Sequence, residues 1–180
     1  MENFGMKISL LLALLVISFR GTLGLKAAVW SELEVDLPAK EMWAVYSSPD
    51  LPRLIVQLLP GLFKRIDYVK GNGTQGTIIG ITLQPTISGP RTWNEQFVII
   101  DDGTMTKVVR QVSGGHLNIG FTLYENIFQI TARSNNSCTV RATLSYDINE
   151  ASQGNSSLIT ASWGMAEAIR DYIKSQKLRN

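Results

Sequence analysis

From Leu62 to Ile148 the chain reads almost entirely as strand, and a single long amphipathic stretch follows. Cys138–Ile148 shows the pattern most plainly: Val140, Ala142, Leu144, Tyr146 and Ile148 alternate with Thr139, Arg141, Thr143, Ser145 and Asp147. Such alternation makes a sheet with one buried and one wet face. Leu62–Lys70, Thr77–Leu83, two strands within Arg91–Val112, and Ile119–Arg133 read as further strands. Ala28–Asp36 precedes them as a first strand. Two short helices, Ala39–Ser47 behind Pro38 and Leu51–Leu59 ahead of Pro60-Gly61, fill the gap after it. The last element is a helix over about Ser156–Lys174, with Leu158, Met165, Ile169 and Tyr172/Ile173 on one stripe and Gly164 in its middle. Seven strands and one long helix predict an α+β fold: a curved antiparallel sheet wrapped around the C-terminal helix, with a cavity between them.

The central hairpin, RTWNEQFVIIDDGTMTKVVRQV, carries the residues of chemical interest. Alternation puts Trp93, Glu95, Phe97 and Ile99 on one face. A carboxylate among aromatic and aliphatic neighbours needs a cavity or a partner. The turn decides where Lys107 points. A two-residue Asp102-Gly103 turn pairs Val98 with Lys107 and turns the lysine away from Glu95. A three-residue Asp101-Asp102-Gly103 loop pairs Phe97 with Lys107 and brings both to one face, about one diagonal step apart. A slip of one residue reverses the answer. In Ile119–Arg133, Ile119, Phe121, Leu123 and Ile127 fall on one face, and Tyr124, Asn126, Phe128 and Ile130 on the other.

At 180 residues, 44% apolar and 18% charged, the chain is long enough for one domain with a real core. A net charge of +2 with mixed signs gives no case for nucleic acid. Residues 1–24 are a separate segment. Lys7 precedes Ile8–Phe19, a charge-free apolar run of twelve, and Thr22-Leu23-Gly24 supplies small residues for cleavage. The expectation is a secretory signal peptide, with an uncleaved anchor and an N-terminal amphiphile as alternatives. The mature protein, residues 25–180, would then pass to the endoplasmic reticulum, vacuole or exterior without a stable membrane span. Asn72, Asn135 and Asn155 head N-x-S/T triplets. One cysteine, Cys138, and one histidine leave no internal disulfide and no Cys/His metal site, and no cofactor is expected.

Gly71-Asn72-Gly73-Thr74-Gln75-Gly76 matches G-x-G-x-x-G, yet a β-branched strand follows where a dinucleotide fold needs a helix. It reads as a loop joining two antiparallel strands.

This order, with the glycine-rich loop leading into Thr77-Ile78, resembles the Bet v I superfamily of plant pathogenesis-related class-ten proteins over about Val29–Lys177. Met42-Trp43-Ala44-Val45-Tyr46-Ser47-Ser48-Pro49, Leu58-Leu59-Pro60-Gly61-Leu62-Phe63 and Gly114-Gly115-His116-Leu117 are similar to the norcoclaurine synthase branch. That branch condenses dopamine with 4-hydroxyphenylacetaldehyde in a Pictet–Spengler reaction. The resemblance implies Lys107 as the cavity lysine and Glu95 as the base for the ring proton. Trp93, Asn126, Phe97, His116 and Met165 are the expected substrate contacts, with Trp163 a further one beside Met165. Trp93 stands where the branch has a tyrosine, Asn126 where it has an aspartate, and His116 where a tyrosine is frequent. Trp93 keeps bulk and one N–H donor but accepts no hydrogen bond, and Asn126 holds no negative charge. Two other readings stay open: a non-catalytic, defence-related carrier of small aromatic or hydrophobic metabolites, with Lys107 and Glu95 as an ion pair, and a hormone-gated role. The sequence does not fix the oligomeric state.

Overall fold

The computed structural model describes residues 24–158 and 164–179. The leader read in residues 1–24 and the contact proposed for Trp163 lie outside this span, apart from Gly24. Seven strands form one antiparallel sheet: β1 Leu25–Val35, β2 Phe63–Lys70, β3 Ile78–Leu83, β4 Thr92–Asp101, β5 Thr106–Gly114, β6 Phe121–Ser134 and β7 Ser137–Ile148. Their spatial order is β1-β7-β6-β5-β4-β3-β2, so β1 and β2 are opposite edges. Helices α1 Ala39–Tyr46 and α2 Leu51–Leu58 carry the chain from one edge to the other. Helix α3, Met165–Lys177, packs against α1, α2 and β1. No helix among the described residues is long and apolar enough to cross a membrane.

The core is the inner face of the sheet closed by the helices. Cys138 and Val140 of β7, Phe128 and Ile130 of β6, and Phe97 of β4 meet Met42 and Tyr46 of α1 and Ile169 and Ile173 of α3. A second cluster of Phe121, Tyr124, Leu144, Tyr146 and Ile148 fills the other end of β6 and β7. Removing each large apolar side chain of this kind from water stabilises the fold by on the order of 1.5–3 kcal/mol.

Three expectations are corrected. Ile99 does not share the Glu95 face. Phe97 pairs with Val109 and Ile99 with Val108, so Val98 is an extra residue on β4, and the bulge turns Ile99 outward and Ile100 inward. Phe121 likewise faces the core beside Tyr124, because Thr122 is an extra residue between the Phe121–Ile148 and Leu123–Asp147 pairs. The last helix starts later than expected. Glu150–Leu158 is 3₁₀, and Gly164 is the N-cap of α3 rather than a mid-helix residue. Ser157 donates to the Gly154 carbonyl at 3.1 Å, a local bond that competes with an α-helix, and Asn155 ties the segment to the Ile119 carbonyl at 2.8 Å. At its far end α3 runs past Lys174, where Lys174 pairs with Asp36 and Lys177 with Glu41.

The glycine-rich loop is a structural joint. Gly71, Gly73 and Gly76 all have left-handed backbones, and a Cβ on Gly73 would lie 2.5 Å from Pro49 backbone atoms. β3, not a helix, follows. The Gly76 N–H donates to the Phe97 carbonyl at 2.8 Å, and Phe97 N–H to the Thr77 carbonyl at 2.9 Å, which seats the loop on the middle of β4.

Candidate active site

The turn at the centre of the hairpin is neither of the two expected. Asp101 pairs with Thr106, leaving a four-residue loop of Asp102, Gly103, Thr104 and Met105. Asp101 holds it by accepting from the Gly103 N–H at 2.8 Å and the Thr104 hydroxyl at 2.8 Å. Asp102 accepts from the Trp43 indole at 2.7 Å, which ties the loop to α1. Lys107 pairs with Ile100. Ile100 lies on the inner face only because of the Val98 bulge, so the bulge is what turns Lys107 inward. Lys107 is 1% exposed and Glu95 7%.

Both side chains line a cavity walled by α2, β2–β6 and the start of α3. Within it the space open to the centre of a water molecule is about 90 Å³. The β2–β3 wall is apolar: Phe63, Ile66, Ile79, Ile81 and Leu83. The adjoining β4–β6 wall carries the polar groups Glu95, Lys107, Gln111 and Asn126. Of the residues singled out from the sequence, the seven that are described, Trp93, Glu95, Phe97, Lys107, His116, Asn126 and Met165, line this one space.

Lys107 and Glu95 are farther apart than one diagonal step. Glu95 pairs with Gln111, four residues along β5 from Lys107, a backbone separation of roughly 13 Å at about 3.3 Å per residue. No ion pair involving either is present among the described residues. Lys107 Nζ donates to the Tyr46 carbonyl at 3.0 Å, at the C-terminal end of α1, and lies 4.1 Å from the Phe97 ring centroid. Those contacts do not replace bulk water, and burial takes the ammonium down to about 8. Burial pushes the Glu95 carboxyl up to about 7, opposed by the Trp93 N–H, which donates to Oε1 at 2.8 Å. A cation that gives up a proton easily and a carboxylate that takes one easily therefore face the same apolar space.

Three groups were missed in the sequence. Gln111 is 4% exposed, and its carbonyl accepts from the His116 N–H at 3.0 Å while its amide nitrogen lies 3.3 Å from His116 Nδ1. Tyr124 stacks on the His116 ring at 3.9 Å between centroids. Tyr46 supplies the acceptor for Lys107 through its backbone. Alternation outward from Lys107 through Val109 would have found Gln111; a backbone acceptor leaves no signal in sequence. His116 itself sits in a 3₁₀ turn, Gly115–Ile119, that closes one end of the cavity. No group of three or more His, Cys, Asp or Glu side chains able to hold a metal occurs among the described residues.

The model of the pathogenesis-related protein Bet v 1 family matches residues 25–176. The chain belongs to the Bet v 1 family. This family member is 36% identical over 158 residues to S-norcoclaurine synthase 2 of Papaver somniferum, covering 86% of this chain and 68% of that one. It is 35% identical over 136 residues to norbelladine synthase of Narcissus pseudonarcissus, covering 76% and 83%. Its fold superposes on norcoclaurine synthase from Thalictrum flavum, solved in complex with dopamine and hydroxybenzaldehyde, with a TM-score of 0.79 at 28% identity, over 89% of this chain and 96% of that one. The Bet v 1 fold thus supplies the curved sheet and the helices that frame the cavity.

Proposed function

We propose that this Bet v 1 family member is a norcoclaurine-synthase-like lyase that joins dopamine to 4-hydroxyphenylacetaldehyde in a Pictet–Spengler condensation. The observation that carries the reading is a buried lysine and a buried carboxylate, not paired with each other, across one apolar cavity. The named relatives support the reaction class.

The amine nitrogen adds to the aldehyde carbon and gives a carbinolamine. Lys107 donates a proton to the departing hydroxyl, water leaves, and an iminium remains. The catechol ring carbon then bonds to the iminium carbon. Glu95 takes the ring proton and restores aromaticity. Proton exchange with water returns Glu95 to carboxylate and Lys107 to ammonium, so the sum is two substrates giving product and water. Trp93, Phe97, His116, Asn126 and Met165 form the remaining walls of the substrate space. Asn126 offers an amide where a charged amine anchor would be a carboxylate, so substrate binds here by shape and neutral hydrogen bonds.

The test is product formation from the two substrates, resolved by chiral chromatography, with Lys107→Ala as control. A single enantiomer whose rate falls by about 10²–10⁴ in the control supports the assignment. Racemic background, equal in both proteins, overturns it and moves the weight to a metabolite carrier. The segment 1–24 is proposed to direct the protein into the secretory pathway; N-terminal sequencing of the plant-expressed protein should begin near Leu25.

A further inference from the structure

The Glu95 carboxylate is held by one side-chain donor among the described residues, the indole N–H of Trp93, two residues before it on the same face of β4. Neighbouring donors are committed elsewhere. Gln111, the cross-strand partner of Glu95, has both ends of its amide on His116, and Lys107 is bonded to the Tyr46 carbonyl. The Trp93 backbone and Cβ are held by the turn that follows β5. Trp93 pairs across the hairpin with Gly114, and a Cβ on Gly115 would lie 2.8 Å from Trp93 Cβ and 2.7 Å from Gln111 Oε1. Both glycines have left-handed backbones, so the chain closes against the tryptophan as a bulkier residue would not allow. The His116 ring meets the indole edge-on, 6.5 Å between centroids.

We propose that Trp93 is a positioning residue of the condensation: its N–H holds Oε1 of Glu95, favours the ionised form against burial, and leaves Oε2 to take the ring proton. This rests on the reaction proposed above. The chemistry of the indole is what decides the role. An indole N–H only donates, so it bonds more strongly to a carboxylate than to the carbonyl of the acid form and cannot accept the acid's O–H; a phenol in its place could do both. The Gly114-Gly115-His116 turn thereby acquires a purpose, as the seat of Trp93 and of Gln111 behind it.

Among the described residues, the ionisable groups sharing the cavity with Glu95 are Lys107 on β5, His116 in the 3₁₀ turn and Tyr124 on β6; its neighbours Ile79 on β3, Gln111 on β5 and Met165 on α3 are neutral. All stay in place when residue 93 alone is changed, so their fields cancel in the comparison. Two variants are needed: Trp93→Phe, and Trp93 replaced by β-(3-benzothienyl)alanine, which keeps the ring outline with sulfur in place of N–H. The readout is the carbon NMR titration of the Glu95 carboxyl, assigned by its disappearance in Glu95→Gln. The midpoint should rise by about one pH unit in both variants, the size of a hydrogen bond to a charged group. In the condensation assay kcat should fall at neutral pH with the acid limb moved up equally and KM within about two-fold. Neither change at residue 93 should have a further effect on kcat in the Glu95→Gln background. An unmoved midpoint in both variants overturns the proposal, as does a raised KM with an unmoved acid limb, or a full additional loss in Glu95→Gln. A wild-type protein that makes no product while the midpoint still moves would overturn the proposed reaction and leave Trp93 as the group that sets the Glu95 charge.

Discussion

Lys107 is 1% exposed with a carbonyl and an aromatic face for company, and Glu95 is 7% exposed with an indole N–H. Each is pushed towards neutrality by lost solvent, and from opposite directions. As base, Glu95 must be ionised, which holds above about 7; as acid, Lys107 must be protonated, which holds below about 8. The free enzyme is therefore expected to show a bell-shaped pH profile of kcat/KM with its maximum midway, at about 7.5. A profile rising steadily past pH 9 would remove Lys107 as the acid. Lys107→Arg retains the charge but does not release it in the working pH range, so the alkaline limb should vanish along with most of the rate. At this scale the sequence shows Glu95 out of place among apolar neighbours, and the family resemblance implies Lys107 as the cavity lysine. Gln111 and the Tyr46 carbonyl are not legible there, because the first looks like any strand glutamine and the second has no side-chain mark.

At the scale of elements, the face on which Lys107 falls depends on where β4 spends its extra residue. Turn chemistry at Asp101-Asp102-Gly103 offered two registers, and the structure uses a third, a four-residue loop with a bulge at Val98. Val98 stands in a run of β-branched residues, so nothing in its identity marks it. The same is true of Thr122, whose bulge moves Phe121 to the core. Strand existence follows from alternation, while a bulge changes parity without changing composition, so facing was the part of the fold least readable here. Glycines are the exception, since close approach leaves a mark. Gly115 has φ +55°, and a Cβ there would meet Trp93 and Gln111 at 2.8 and 2.7 Å. Gly115→Ala is expected to cost about 1–3 kcal/mol in urea unfolding and to displace Trp93, lowering kcat beyond the stability loss. Gly154→Ala, with nothing within 4 Å of the new Cβ, is the control and should change neither by a measurable amount.

For the whole molecule, the buried pair makes stability depend on pH in an unusual way. The Glu95 carboxyl is raised from 4.5 to about 7, so between those values the unfolded chain has lost a proton that the folded chain keeps. Stability from this group is fully present below pH 4.5 and falls as pH rises through 7, by about 3 kcal/mol in all. Lys107 is lowered from 10.5 to about 8, so above 8 the unfolded chain keeps a proton that the folded chain has released. Its contribution is at its worst below pH 8 and recovers by about 3 kcal/mol as pH climbs towards 10.5. The two together place a trough between pH 7 and 8, the same window in which the acid–base pair is poised to work. Denaturant unfolding from pH 5 to 9.5 should show it, provided each curve is compared with its variant so that surface groups cancel. Glu95→Gln should abolish the fall on the acid side, and Lys107→Met the rise on the alkaline side. At pH 7.5 both variants should be more stable than the wild type while making little product. Such a result would mean the fold tolerates two poorly solvated charges at neutral pH because the reaction needs them both. Wild-type and variant curves that run parallel from pH 5 to 9.5 would instead mean that both groups titrate as they do in water, and the cavity would then lack the acid and base that the condensation requires.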